Sequence, residues 1–301
     1  MSIGFEQGDH LGGHPMAPLL PDRLKEMWTS VKHEQVTVDD ATRQQERLLD
    51  EHRAVWHRAL HLDRQGSPEH DVLDELAAYF SGTDRAELER RCTEATGRLK
   101  ADWHRGGGND LRAIERFYDE NEGHIFDLMW WHTLCFDVSP LAYVVALDFA
   151  RRRECRRYLD FGSGVGSGAI LFARHGLTAS LADISSTLLR FARWRFARRG
   201  LPATFIDLKT SKLPDETYDL ITAMDVFEHL TDPVATVDQL SASLKSGGYV
   251  FGRFAAEPDD ERPQHIVLDF EPTLARFAAL GFVEVWRDEW LWGHRVFQKT
   301  R

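Results

Sequence analysis

The stretch Tyr158-Leu159-Asp160-Phe161-Gly162-Ser163-Gly164-Val165-Gly166-Ser167-Gly168-Ala169-Ile170 constrains the fold more than any other in this chain. A short apolar strand runs into glycines at alternating positions and then into a helical pattern. Glycine carries no Cβ, so the backbone can turn sharply from strand to helix and bring its peptide N–H groups against a ligand. Such a unit belongs to a parallel α/β sheet and reads as a nucleotide-cofactor loop. The glycines alone leave two chemistries open, because Gly164-x-Gly166-x-x-Ala169 also fits the fingerprint of a loop that faces a pyrophosphate. Asp160, two residues ahead of the first glycine, favours the other: a carboxylate is repelled by a pyrophosphate and attracted by a cationic amino group.

The order acid-x-Gly-x-Gly-x-Gly resembles motif I of the class I S-adenosylmethionine-dependent methyltransferases. That resemblance implies S-adenosylmethionine as cofactor, with Asp160, Gly162, Ser163, Gly164 and Gly166 around its methionine end. The following segments keep to the same plan. Ala179–Ile184 is a strand ending in Asp183, whose carboxylate can take both ribose hydroxyls, with Ile184 along the adenine. Thr204–Leu208 is a third strand ending in Asp207, suited to the adenine amino group; Leu208 and Met224, at the ends of the third and fourth strands, complete the expected cofactor contacts. Tyr218–Asp225 is the fourth strand, and Gly247-Gly248 starts the fifth.

The segment Tyr218–Pro233, with Asp225-Val226-Phe227-Glu228-His229, is similar to the strand-four region of ubiquinone-pathway O-methyltransferases, as is Leu244–Gly248. The likeness runs from Arg157 to the C-terminus. It implies a Rossmann-like α/β fold: a seven-stranded, mostly parallel sheet with helices on both faces. The last strands then fall near Val283–Trp286 and Arg295–Gln298, the final one antiparallel. It implies methyl transfer to an oxygen, nitrogen or carbon of a small molecule. His229 is the expected proton acceptor, since imidazole titrates near neutrality. Asp225-x-x-Glu228-His229 also matches a pattern that binds a divalent ion in some of those relatives, but Asp stands where they have Glu, and no metal is assigned.

The first half reads as helical. Residues 1–36 show little periodicity, with glycines at 4, 8, 12 and 13, and are expected to be irregular; residues 37–150 form a helical cap and residues 151–301 the cofactor domain. Thr37 opens a helix to about Leu62, Ser67-Pro68 opens a second, and Leu88, Cys92, Ala95, Leu99 and Trp103 mark a third that stops at Gly106. Ser139-Pro140 caps a further helix. Phe117, Tyr118, Phe126, Trp130 and Trp131, interleaved with His124 and His132, form either a lid over the acceptor or core between the two halves. His57 and His61 have ligand spacing on the first long helix, but with no third ligand beside them they read as a solvated face.

Lys plus Arg number 37 against 48 Asp plus Glu, a net charge of −11, which disfavours a nucleic-acid partner. The arginine clusters 151–157 and 190–199 read as solvated helix faces. Three cysteines without metal or redox spacing, no apolar run of membrane-spanning length and no signal-like N-terminus make a cytoplasmic setting the expectation. Two other classes remain: an oxidoreductase using a nicotinamide cofactor, which Asp160 speaks against, and a non-catalytic scaffold that keeps the cofactor fold.

Overall fold

The computed structural model describes residues 17–61, 67–108, 110–134, 138–255, 260 and 262–301. The glycines at 4, 8, 12 and 13, Leu62 and Cys135 lie outside that set. Helix α1 (Leu20–Lys32) corrects the expected irregular segment over 1–36: it carries Pro21 in its first turn and buries Leu20, Leu24 and Met27. A proline there loses no helical hydrogen bond, so it starts a helix as readily as it breaks one. Helix α2 (Val38–Leu60) begins where expected, with the Thr37 hydroxyl accepting from the Asp40 N–H at 3.1 Å. Ser67 caps α3 (Pro68–Tyr79) in the same way.

The single third helix expected from Leu88 to Trp103 is two, α4 (Arg85–Thr93) and α5 (Ala95–Asp102). The apolar stripe still buries Leu88, Cys92, Ala95 and Leu99 across the break. A π-helical turn at Trp103–Gly107 leads to α6 (Leu111–Glu120), α7 (Gly123–Asp127), a second such turn at Leu128–His132, and α8 (Ala142–Arg152).

From there strands and helices alternate: β1 (Arg157–Phe161), α9 (Ser167–Arg174), β2 (Thr178–Asp183), α10 (Ser186–Arg198), β3 (Thr204–Asp207), β4 (Tyr218–Ala223), α11 (Pro233–Ser243), β5 (Leu244–Arg253), α12 (Glu271–Ala279), β6 (Phe282–Arg287) and β7 (His294–Lys299). They form the seven-stranded sheet, in the order β3-β2-β1-β4-β5-β7-β6. The first five strands run parallel, and β7 pairs antiparallel with both β5 and β6. β5 begins three residues before Gly247, because Leu244 pairs with Tyr218 ahead of a register shift.

A parallel sheet buried on both faces needs helices on both. On one face α1, α2, α8 and α9 share a single apolar cluster with Tyr158, Leu220, Phe251 and Val296. On the other, Val237 and Leu240 of α11 and Phe277 of α12 pack with Leu159, Ile221 and Phe297. A third cluster joins Leu76, Leu88, Ile125 and Phe126 of the N-terminal helices to Val165, Leu188 and Phe191. The helical half therefore sits directly on the glycine loop and on α10. No helix of the described residues is long and apolar enough to cross a membrane.

Phe277 is fully buried and stacks on Phe297 with ring centroids 4.7 Å apart. Phe277→Ala is expected to lower unfolding stability by about 3 kcal/mol or more through lost burial and an unfilled cavity, read as a reduced denaturant midpoint.

Candidate active site

The strand order reverses between β1 and β4, and in open α/β sheets ligands bind beyond the carboxyl ends of the strands at such a switch point. Asp160, Gly162 and Asp183 all arrive there. Asp160 is fully buried and sits opposite Thr222 in the β1–β4 register. The Tyr143 hydroxyl donates to its Oδ1 at 3.1 Å and the Thr222 hydroxyl at 3.2 Å, while Oδ2 has no partner. Burial, only partly offset by these donors, pushes its carboxyl up to about 7.

Gly162 has φ 69, and a Cβ there would lie 2.5 Å from Val226 Cγ2. Glycine is thus required twice, by the backbone and by Val226 in the turn after β4. A Cβ on Gly164 would meet Leu128 Cδ1 of the cap at 2.8 Å. Ser163 Oγ is buried without a partner, and Gly166, in the left-handed region, opens α9.

Asp183 is buried, and its carboxylate accepts from the Gly164 and Ser185 N–H groups, both at 2.8 Å. Burial raises its pKa against those two donors. Its two oxygens keep lone pairs for a further donor. Ile184 follows on the loop, its carbonyl accepting from Lys209 Nζ at 2.7 Å. Asp207 is half-buried and accepts from the Lys209 N–H at 2.9 Å, with Leu208 beside it; Met224 is buried past the end of β4. All the residues expected to hold a cofactor therefore lie at or just beyond the carboxyl ends of β1 to β4.

The turn after β4 carries a second group. Asp225 is held at φ 50, a strained conformation for a non-glycine residue, and lies 3.1 Å from Arg253 Nη1. Burial opposes its charge, but His294, His132 and Arg253 outweigh it and keep the carboxyl below its ordinary range. Glu228, 1 % exposed, is pushed up to about 8 by burial and by Asp225, and its Oε2 has no partner.

His229 Nδ1 lies 3.0 Å from the Tyr118 hydroxyl and 3.1 Å from the Gln264 carbonyl. Burial and the neighbouring His265 push its pKa down to about 3, so the imidazole stays neutral. Glu228, His229 and His265 have ligand atoms within 4.8 Å of one another, a set able to take a divalent ion. It differs from the sequence pattern: His265 replaces Asp225, because a later loop folds back over strand four. That loop is fixed by the Ile266 and Val267 N–H groups donating to the Glu228 carbonyl.

Three more contributors had no sequence signal, Tyr143 from α8, Arg253 at the end of β5 and His294 at the start of β7, whereas Tyr118 of α6 belongs to the aromatic run expected as lid or core. His294 is 1 % exposed, with both ring nitrogens unpartnered, and burial lowers its pKa to about 4. Asp119, also on α6, accepts from the Ser186 N–H and hydroxyl at 2.7 Å each and pairs with Lys209, so the cap spans the gap between the ends of β2 and β3. His57 and His61 form no solvated face: their rings meet edge-on, and His61 pairs with Asp71 of α3.

A family model described as a methyltransferase domain matches residues 133–293. The chain belongs to the methyltransferase family. Ubiquinone biosynthesis O-methyltransferases are similar to it: that of Vibrio parahaemolyticus is 29% identical over 145 residues, 47% of this chain and 61% of the relative. That of Paracidovorax citrulli is 32% identical over 131 residues, 40% of this chain and 55% of the relative. This chain thus spans less than two thirds of their length. Among solved structures, a SAM dependent methyltransferase from Aquifex aeolicus overlays at TM-score 0.39 with 18% identity, covering 48% of this chain and 80% of its own.

The residues present fit S-adenosylmethionine, the cofactor that the resemblance of the glycine loop implies. A buried carboxylate with one oxygen unpartnered and, three residues on, a buried serine hydroxyl without a partner suit a cationic, hydrogen-bonding ligand.

Asp160 supplies a measurable consequence. Its pKa is higher folded than in the unfolded chain, so the fold holds a proton that the unfolded chain has lost. This contribution to stability is complete below about pH 4 and disappears as pH rises to about 7. Asp160→Asn is expected to remove that fall in stability. In the wild type, S-adenosylhomocysteine, whose ammonium favours the carboxylate, is expected to release close to one proton on binding near pH 6, read by calorimetry in buffers of different ionisation enthalpy.

Proposed function

We propose that this chain transfers the methyl group of S-adenosylmethionine to an oxygen of a small-molecule acceptor, the chemistry named for its ubiquinone-pathway relatives. The observation that carries the reading is the buried Asp160 with its unpartnered oxygen behind the glycine loop. When bound, the cofactor supplies a methyl group already activated by its positive sulfur. Asp160 pairs with the ammonium, the loop from Gly162 to Gly166 takes the rest of the methionine end, and Asp183 takes the ribose hydroxyls. Asp207 meets the adenine amino group, with Ile184, Leu208 and Met224 against the ring.

The remaining work of the chain is positioning, exclusion of water and removal of one proton. His229 is the proton acceptor. Its Nδ1–H donates to the Gln264 carbonyl, which leaves Nε2 to receive the proton, and Tyr118 fixes the ring from the cap. Burial keeps it unprotonated beforehand but also weakens it as a base, departing from the near-neutral titration expected of an imidazole, and Asp225 offsets part of that by favouring the imidazolium as it forms. A second reading is favoured by the convergence of Glu228, His229 and His265: a divalent ion held there would acidify the acceptor hydroxyl.

In this reading residues 37–150 roof the acceptor and residues 151–301 hold the cofactor. The setting is cytoplasmic and reducing, in keeping with two buried thiols, Cys92 and Cys155, that burial pushes up to about 12. Nucleic acid is not a partner, given the net charge of −11.

The test is incubation with deuterated-methyl S-adenosylmethionine and a panel of catechols and simple phenols, followed by mass spectrometry. Transfer of the label to an acceptor oxygen is expected; no labelled product together with no binding of S-adenosylhomocysteine sinks the reading. Asp183→Ala is expected to weaken S-adenosylhomocysteine binding by about tenfold or more through unpaired ribose hydroxyls. His229→Gln is expected to lower kcat by about a hundredfold with cofactor affinity retained, and loss of wild-type turnover in EDTA would move the proton step to the ion.

A further inference from the structure

The arginine cluster at 190–199, expected to be a solvated face, turns two guanidiniums into the protein. Arg195, in the last turn of α10, and Arg199, the residue that follows that helix, have side chains 0% and 1% exposed. A buried guanidinium is costly unless paired, and both find the same partner, Glu75 of α3, itself 3% exposed. Glu75 Oε1 lies 3.2 Å from Arg195 Nε, and its carboxylate also accepts from Arg199, whose Nη2 donates to Glu75 Oε2 at 3.0 Å and to the Leu60 carbonyl at 2.6 Å.

The far end of Arg195 reaches the glycine loop. Its Nη1 donates to the Val165 carbonyl and to the Ser167 hydroxyl, each at 2.8 Å. Ser167 Oγ is in turn 2.9 Å from Thr133 Oγ1, just past the second π-helical turn. A carboxylate on a cap helix therefore anchors the guanidinium that grips the loop between Gly164 and the first residue of α9. Val165 is also packed in the cluster that holds Leu76 of the same cap helix.

We propose that Glu75 and Arg195 are positioning residues for the cofactor. The cap carboxylate holds the Arg195 guanidinium by charge, and the Nη1 end of that fork fixes the Val165 carbonyl and the Ser167 hydroxyl, so the loop N–H groups face the ligand before it arrives. The proposal rests on the reading that this loop takes the methionine end of S-adenosylmethionine. It assigns the cap a part in cofactor affinity through a residue that touches no cofactor.

Glu75→Gln alone leaves two buried guanidiniums short of a counter-charge and destabilises the fold, so the informative variants are Arg195→Lys, which keeps the charge but not the fork, and Glu75→Gln combined with Arg195→Met. Calorimetric titration of the full chain with S-adenosylhomocysteine, thermal melting and hydrogen exchange over residues 160–170 are measured together. Both variants are expected to bind about tenfold more weakly or worse. Exchange is expected to quicken in the loop while the strands keep their protection, and the double variant is expected to melt above Glu75→Gln.

Wild-type affinity in both variants, or loop exchange unchanged from wild type, overturns the proposal. Affinity that follows melting temperature across all three variants does so too, because it reduces the pair to a structural role. If the wild type itself fails to bind S-adenosylhomocysteine, the loop reading falls first and the proposal with it.

Discussion

A carboxylate placed out of water at the switch point of a parallel sheet is the constraint around which this molecule is arranged. Asp160 stands on β1 at the point where the strand order turns to β4, and everything near it either donates to it or keeps solvent away. Tyr143 reaches it from the last helix before the sheet, Thr222 from the neighbouring strand, and Tyr158 steadies Thr222 through a 2.6 Å contact between the hydroxyls. Those partners satisfy one oxygen and leave the other bare, which is the arrangement a cation-binding site needs and a purely structural acid avoids.

The electrostatics of the surrounding pocket follow one rule. Burial drives Asp160 and Glu228 upward and His229, His294 and His124 downward, each toward its neutral form. Asp225 is the exception, its carboxyl held below its ordinary range with the Arg253 guanidinium 3.1 Å away. A buried and nearly neutral chamber suits a positive sulfonium donor, since charge on the ligand is then answered by the protein rather than by water.

The helical half makes that dryness possible. It is continuous with the sheet through shared apolar clusters, Leu128 lies over Gly164, and Asp119 ties α6 to the rim formed by Ser186 and Lys209. The electrostatic cost of such close packing is visible in Glu75, Arg195 and Arg199, three charged groups buried together where helix α3 meets the end of α10.

The sequence by itself determined the βα succession, the position of the glycine loop and the acids at the ends of β1, β2 and β3, because each is written in consecutive residues whose spacing is set by local backbone geometry. It also marked the N-caps at Thr37 and Ser67. It did not show α1, hidden behind a proline that starts rather than stops a helix, nor the burial of Arg195 and Arg199, whose local pattern is that of an exposed face. Nor could it bring His265 to Glu228 and His229, or Tyr143, Arg253 and His294 to the acids. Those meetings join residues from 17 positions apart, as Tyr143 and Asp160 are, to 69, as Asp225 and His294 are, and only the packing of the cap and the antiparallel β7 against the sheet decided them, since local spacing carries no information about which distant side chains a closed core will press together.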